Sequence, residues 1–440
     1  MAVSRLPLVG IGAACAAALA AACASTMSAP AAPPASPADS PVPTAAPIPA
    51  RLRPSPPVCD ADNGGLRLPE GFCAVVVARN LGLARHIAVA PNGDVFLATS
   101  SDTGSVVALR DTTGDGRADV IHRFGPPGGN GIALDGGYLW FAPNDRVVRW
   151  PWKDGQLQPQ GAPEVIVQDL PNVRNHRAKS IAFGPGGALF VNIGSPSNSC
   201  QQSDRTERSP GKMPCDELET RAGIWRFERD KLNQTQAQGR RWATGMRNTV
   251  ALTSHPGTKE LWAAIHGRDV LGDNWGFSDS ANAEKPAEEF GPVPEGADYG
   301  WPYCYYDPAL NAKVEAPEYG GDGTRTGQCA GKTQPLVAFP GHWAPNGAVF
   351  YQGPMFPAEY RGGAFIASHG SWNRAPLPQQ GYRVVFQPFE GDKPAGKWRD
   401  FATPAAGPAA IRPTGLAVGP DGSLYIAADQ QGTVWRVLHR

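Results

Sequence analysis

The chain has 440 residues, with 40 lysines and arginines against 40 aspartates and glutamates, so its formal net charge is zero. That balance excludes the broad basic surface of a nucleic-acid binder and gives no pull toward an acidic lipid surface. Its 52 glycines and 45 prolines stand beside 41% hydrophobic residues, a composition that suits a turn-rich all-β fold with a substantial core.

The first 23 residues read as a targeting segment. Arg5 supplies the positive end, residues 8–19 the apolar stretch, and Ala20-Ala21-Ala22-Cys23 a small-residue cleavage site. A cysteine directly after three alanines resembles a bacterial lipoprotein signal, with Cys23 as the lipidated residue. An ordinary secretory peptide cut nearby is the alternative. The first reading gives a lipid-anchored periplasmic or outer-membrane lipoprotein, the second a soluble periplasmic protein. Residues 24–57 are rich in Ala, Pro and Ser and cannot bury a core, which predicts a disordered tether. No later run is long and apolar enough to span a bilayer.

Beyond the leader stand six cysteines, at 59, 73, 200, 215, 304 and 329. Six cysteines allow fifteen pairings. They fall as near neighbours, and we propose Cys59–Cys73, Cys200–Cys215 and Cys304–Cys329, formed in an oxidising compartment. The order Cys-x-x-Cys-His does not occur, so no covalent haem is encoded. Asp111-Thr-Thr-Gly-Asp115-Gly-Arg-Ala-Asp119 has the alternating carboxylates of a short calcium loop without its distal glutamate, and reads as a surface turn.

One pattern recurs along residues 58–440. His176-Arg-Ala-Lys-Ser leads into an apolar strand at 180–183, a Gly184-Pro-Gly-Gly187 turn and a second apolar strand at 188–193. This is an antiparallel hairpin. Similar hairpins span 86–98, 131–141, 249–263 and 415–427, and a sixth runs from 347 into 363–368. Spacings of roughly 45 to 100 residues match four-stranded propeller blades carrying insertions. A single hairpin cannot bury both faces, but hairpins stacked radially bury one another, so the expectation is a six-bladed β-propeller.

In each antiparallel hairpin, the residue before the first strand and the residue after the second emerge at one end. Those positions hold Arg85, His86, Asn130, His176, Arg247, Asn248, Asn346 and Arg412, then His266-Gly267-Arg268 and His369-Gly-Ser-Trp-Asn-Arg374. Guanidinium groups around one cavity repel unless an anion sits among them, so the implied ligand is a small polyanion. His176 among cations should stay neutral and able to accept a proton. Glu288 and Glu289 are expected to balance the arginines.

On these residues the chain resembles the pyrroloquinoline quinone (PQQ)-dependent soluble aldose dehydrogenases and their sorbosone dehydrogenase relatives, from about residue 68 onward. The resemblance rests on His176 before Ile-Ala-Phe-Gly-Pro, Gly-Met-Arg247-Asn248, Gly267, Glu288-Glu289 leading to Asp298-Tyr-Gly-Trp-Pro302, and Arg412. It implies a dehydrogenase of a sugar or sugar-derived aldehyde, with His176 as general base and Arg247 stabilising charge on the quinone oxygen. It implies Asn130, Arg247, Asn248, His266, Arg374 and Arg412 as cofactor holders. Calcium would be bound through the backbone carbonyls of Gly267 and Arg268. The electron acceptor would be a separate cytochrome or quinone.

The chain departs from that pattern in three places: Arg268 stands where the aldose dehydrogenases carry proline, His266 where they carry glutamine, and the lysine expected on the fifth blade is replaced by Arg374 or a residue of His369-Gly-Ser-Trp. Two other readings stay open beside it. One is a non-catalytic propeller binding an anionic glycan or a protein, and the other is a metal-dependent lactonase. Propeller topology alone does not decide among them.

Overall fold

The structure, a computed structural model, describes residues 57–407 and 409–440. The expected leader, and all of the tether but residue 57, lie outside them. Among the described residues no helix is long and apolar enough to cross a membrane.

Six antiparallel sheets form six blades. The innermost strands are β1 (Ala84–Val89), β2 (Gly129–Asp135), β3 (Ile181–Gly184), β4 (Ala251–Ser254), β5 (Pro345–Phe350) and β6 (Pro413–Val418). Each packs beside the next and β6 returns to β1, closing a ring. All six predicted hairpins are the two inner strands of a blade, and the 184–187 turn is a single 3-10 turn.

The blades are apolar on both faces, which is why the strands read as continuous hydrophobic runs rather than alternating ones. In Val95–Thr99, Val95 and Leu97 pack toward the last blade, while Phe96 and Ala98 pack toward the second. Successive side chains point to opposite faces, so one strand feeds two inter-blade layers. Six apolar clusters fill the six gaps between neighbouring sheets.

The ring is clasped by strand exchange. Phe72–Ala78, from the start of the folded chain, pairs antiparallel with Thr433–His439 from its end and completes the sixth blade. Trp435 is 2% exposed, and its indole N–H donates to the Gly64 carbonyl at 3.0 Å. Gly64 has φ +63, and a Cβ there would lie 2.4 Å from Val76 Cγ2, so the approach needs glycine. The disulfide Cys59–Cys73 ties the same segment, and Cys200–Cys215 and Cys304–Cys329 are also formed, as proposed.

The Asp111 loop is a surface turn whose carboxylates accept from its own backbone: Asp111 from Thr113, Gly114 and Gly116, Asp119 from Thr112. Two long insertions rise over one end of the ring. The first, 194–222, carries Cys200–Cys215. The second, 266–287, holds α1 (Leu271–Trp275) and α2 (Asp279–Glu284) and is followed by a hairpin, Cys304–Asp307 with Ala312–Glu315. Glu318 knits them together, accepting from Arg268, from Trp275 Nε1 at 2.9 Å and from Ser199 Oγ at 2.9 Å.

Trp435→Ala should remove the largest buried side chain at the seam and cost about 3–5 kcal/mol. A urea unfolding midpoint equal to that of the parent would show that the clasp does not carry the ring.

Candidate active site

Four innermost strands begin with a register shift on the end that carries the insertions: at Ala84/Ile87, Gly129/Gly131, Pro345/Gly347 and Pro413/Gly415. A bulge re-aims the residue it releases. Here the residues released at that end are Arg85 and His86, Asn130, Asn346 and Thr414. Of the residues the hairpins point to, His176, Arg247, His266, Gly267, Trp372 and Asn373 line one cavity at that mouth of the ring, while Arg85, His86, Asn130, Asn248, Asn346 and Arg412 do not line it.

The mouth holds a cavity of about 180 Å³ lined by His176, Arg205, Arg247, His266, Gly267, Asp269, Glu288, His342, Ala344, Trp372 and Asn373. A larger hollow, about 740 Å³, lies at the opposite end between the third and fourth blades, by Pro185, Phe190, Trp242 and Glu260. Its arginines, Arg226 and Arg240, are paired with Glu228 and Glu295, and no histidine lines it.

His176 sits in the left-handed region, φ +51, in the loop before β3. Its Nδ1 is 2.8 Å from the Ser195 carbonyl, and a carbonyl only accepts, so Nδ1 carries the proton and Nε2 keeps a free lone pair. Burial and then the Arg247 guanidinium hold the imidazole well below its ordinary value. Gly194 makes room: a Cβ there would lie 2.5 Å from His176 Cβ. Lys179, 1% exposed, staples the same loop by donating from Nζ to the carbonyls of Pro171 at 2.9 Å and Arg177 at 2.7 Å.

Arg247 is 4% exposed and fully engaged. It donates to Asn198 O at 3.1 Å, Gly267 O at 2.8 Å, Asn198 Oδ1 at 3.1 Å and Asp269 Oδ2 at 2.8 Å. Asp269 also accepts from Arg205 at 2.7 Å and Asn373 at 2.7 Å, and His342 Nδ1 lies 3.6 Å away. Burial would raise this carboxyl, but Arg247, His342 and Arg205 hold it well below the usual carboxylate range.

His266 donates from Nε2 to the Pro345 carbonyl at 2.9 Å and accepts at Nδ1 from Asn248 Nδ2 at 3.1 Å. Burial lowers it to about 4, so it is neutral. Across the mouth Asp429 meets Arg85 at 3.3 Å and His369 at 2.9 Å, while Arg412 reaches His369 Nδ1 at 3.4 Å and lies over the Tyr382 ring.

Several expectations need correction. Arg374 does not line the cavity. It is 0% exposed and donates to the carbonyls of Ala283, Gly341 and Pro378 and to Glu284, pinning a loop. The Arg268 side chain turns away onto Glu318, so its charge is neutralised at a distance from the mouth. Asn130 is buried and donates to Ser180 Oγ at 2.9 Å without lining the cavity. Glu289 pairs with Lys313, not with an arginine. Glu288 accepts instead from the backbone N–H groups of Gly267 at 3.0 Å and Ala344 at 3.3 Å, and burial pushes its carboxyl up to about 7.

Sequence reasoning missed Asp269, Asn198 and Arg205. The signal for Asp269 was the run His266-Gly-Arg-Asp269: a buried guanidinium needs a carboxylate within reach, and this acid is two residues from Gly267.

Burial pushes the Lys179 ammonium down from 10.5 to about 7. Between those values the unfolded chain holds a proton that the folded chain has released, so stability rises with pH across that window. Urea unfolding of the parent and of Lys179→Met through that range should show the parent gaining on the variant as pH rises. Parallel curves would contradict the assignment.

A family model described as TrAA12-like matches residues 66–440. A pyrroloquinoline quinone-dependent pyranose dehydrogenase of Coprinopsis cinerea is 26% identical over 425 residues, 84% of this chain and 52% of that protein. The chain spans about half the length of the first curated relatives it matches. In fold it is similar to a Trichoderma reesei member of carbohydrate-active enzyme family AA12, with TM-score 0.71, 17% identity, and coverage of 89% of this chain and 100% of that one. The holo form of the Coprinopsis pyranose dehydrogenase PQQ domain gives TM-score 0.70 at 19% identity, over 88% and 99%. With the ring, its strand clasp and the residues from 66 to the end all accounted for by one family model, the chain belongs to the TrAA12-like family.

Proposed function

We propose that this protein is a PQQ-dependent dehydrogenase of a sugar or sugar-derived aldehyde. The observation that carries the reading is His176: a neutral imidazole with Nδ1 fixed by a carbonyl and Nε2 free, beside Arg247 at a cavity mouth. A relative with a PQQ-dependent pyranose dehydrogenase name over most of this chain supports it.

The residues present fit the cofactor. Arg85 and Arg412 share Asp429 as their carboxylate, Arg177 stands close enough to Arg85 to repel it, and Arg205 and Arg247 share Asp269. This surplus of guanidinium charge suits a tricarboxylate. Asn248 Oδ1 is buried with no partner, an acceptor ready for a ring N–H. Asn248, Arg85 and Arg412 would hold PQQ, with His266 fixing the Asn248 amide. The Gly267 carbonyl and the Glu288 carboxylate are hard oxygen donors of the kind that hold calcium. When bound, PQQ supplies a quinone carbonyl that accepts hydride from the sugar carbon.

His176 Nε2 would take the proton from the substrate hydroxyl, and its neutrality keeps it ready to do so. Arg247, locked by Asn198 and Asp269, would present a fixed positive charge to the oxygen that gains electron density. A lactonase would need several carboxylates free to hold a metal; two line the cavity, Glu288 and Asp269, and Asp269 is already committed to Arg247, Arg205 and Asn373. We further propose export with a lipid anchor at Cys23, and electron delivery to a separate cytochrome or quinone.

Protein supplied with PQQ and calcium should reduce a dye with some member of a panel of aldoses and sorbosone. His176→Ala should lose about 10²–10⁴-fold in kcat and still bind PQQ, since a general base contributes on that order. Undiminished turnover in His176→Ala would remove it as the base. The acid limb of kcat/KM should fall below the ordinary imidazole value of about 6.5, because burial and Arg247 both depress His176. A limb above that value would contradict the electrostatic account.

A further inference from the structure

Eight large hydrophobic side chains are exposed among the described residues, and of these only Trp372, at 65%, lines the mouth cavity. Its exposure is not the slack of a loose loop. Ser371 N–H donates to the Gln380 carbonyl at 2.8 Å, and Ser371 Oγ donates to Gln379 at 2.7 Å. The Tyr382 hydroxyl donates to the Ser371 carbonyl at 2.5 Å. On the other side Asn373 is bonded to Asp269 and Arg374 is buried among carbonyls. The indole is thus held out in solvent by a backbone fixed before and after it, forgoing the burial an aromatic ring of this size would normally gain.

The Arg205 guanidinium lies 6.0 Å from the Trp372 ring centroid and is anchored to Asp269 Oδ2 at 2.7 Å. A cation over an aromatic face is favourable and fixes the plane of the ring. The ring is therefore a positioned platform, joined through Asp269 to Arg247. The cavity beneath it, about 180 Å³, is below the roughly 300–1,000 Å³ of pockets that enclose a drug-sized ligand. A substrate longer than one sugar ring must extend out past its rim, where the indole stands.

We propose that Trp372, backed by Arg205, is a stacking platform for a second sugar ring, so that the preferred substrates are oligosaccharides whose terminal ring enters the cavity. This rests on the sugar dehydrogenase reading above. The apolar C–H face of a pyranose matches an open indole face, and the guanidinium beside it can donate to the ring hydroxyls.

The test compares glucose, cellobiose, maltose and cellotriose as substrates for the parent, Trp372→Ala and Trp372→Phe, with PQQ, calcium and a dye acceptor. In Trp372→Ala, KM for the two- and three-ring sugars should rise roughly tenfold more than KM for glucose, about the effect of one aromatic contact. Trp372→Phe should recover most of it. An equal rise for all four sugars, or none for any, would overturn the platform. If a protein acceptor is reduced more slowly while the oligosaccharide KM values stay put, Trp372 is a redox-partner contact and the proposal falls.

Should the parent oxidise no sugar, the dehydrogenase reading is what has failed. Calorimetric titration of the same protein with cellotriose then decides separately. Binding lost in Trp372→Ala supports the platform, and equal heats, or no binding by the parent, overturn it.

Discussion

Asp269 is the buried carboxylate on which the mouth depends. It lies within a few ångströms of two guanidinium groups, an amide and an imidazole. Breaking such a group out of its partners leaves uncompensated charge in a low-dielectric setting, a cost of several kcal/mol that pins every partner in place. Arg247 is thereby fixed over the Gly267 carbonyl, Arg205 over the indole of Trp372, and Asn373 at the centre of its loop. The positive field that keeps His176 neutral therefore has a fixed origin, and the strand clasp holds the ring from which these loops project.

A second constraint is steric. Left-handed His176 and flexible Gly194 are a matched pair, since any side chain at 194 would displace the histidine. A residue held in a sparsely populated backbone region at a cavity mouth stores cost that only the surrounding fold can offset. Here the offset comes from the Ser195 carbonyl and from Lys179, whose ammonium is buried to tie the same loop to two carbonyls.

Much of the architecture was legible because a propeller writes one unit repeatedly. Apolar hairpins with Gly-containing turns gave the blades, and direction reversal within a hairpin gave the end at which the His176 and Arg247 cavity opens. The disulfides followed from cysteine proximity. The local pattern could not reveal where a long side chain goes once it leaves the backbone. Arg374, Arg268 and Glu289 sit beside mouth residues in sequence, yet Glu284, Glu318 and Lys313 draw them away, and those partners come from insertions with no repeat to read. Trp372 lay in a stretch expected at the mouth, but its exposure was not legible: a tryptophan in a loop is ordinarily buried, and only the fixed backbone around it shows that it is not.

A small polyanion held at the mouth is the central proposal. The most direct measurement is a calorimetric titration of PQQ into the cofactor-free protein, at low and high salt, for the parent and for Arg412→Ala. One-to-one saturable binding, weakened both by salt and by loss of Arg412, is the predicted result. A folded parent that takes up no PQQ, or binds it equally well without Arg412 and at any salt, would contradict it.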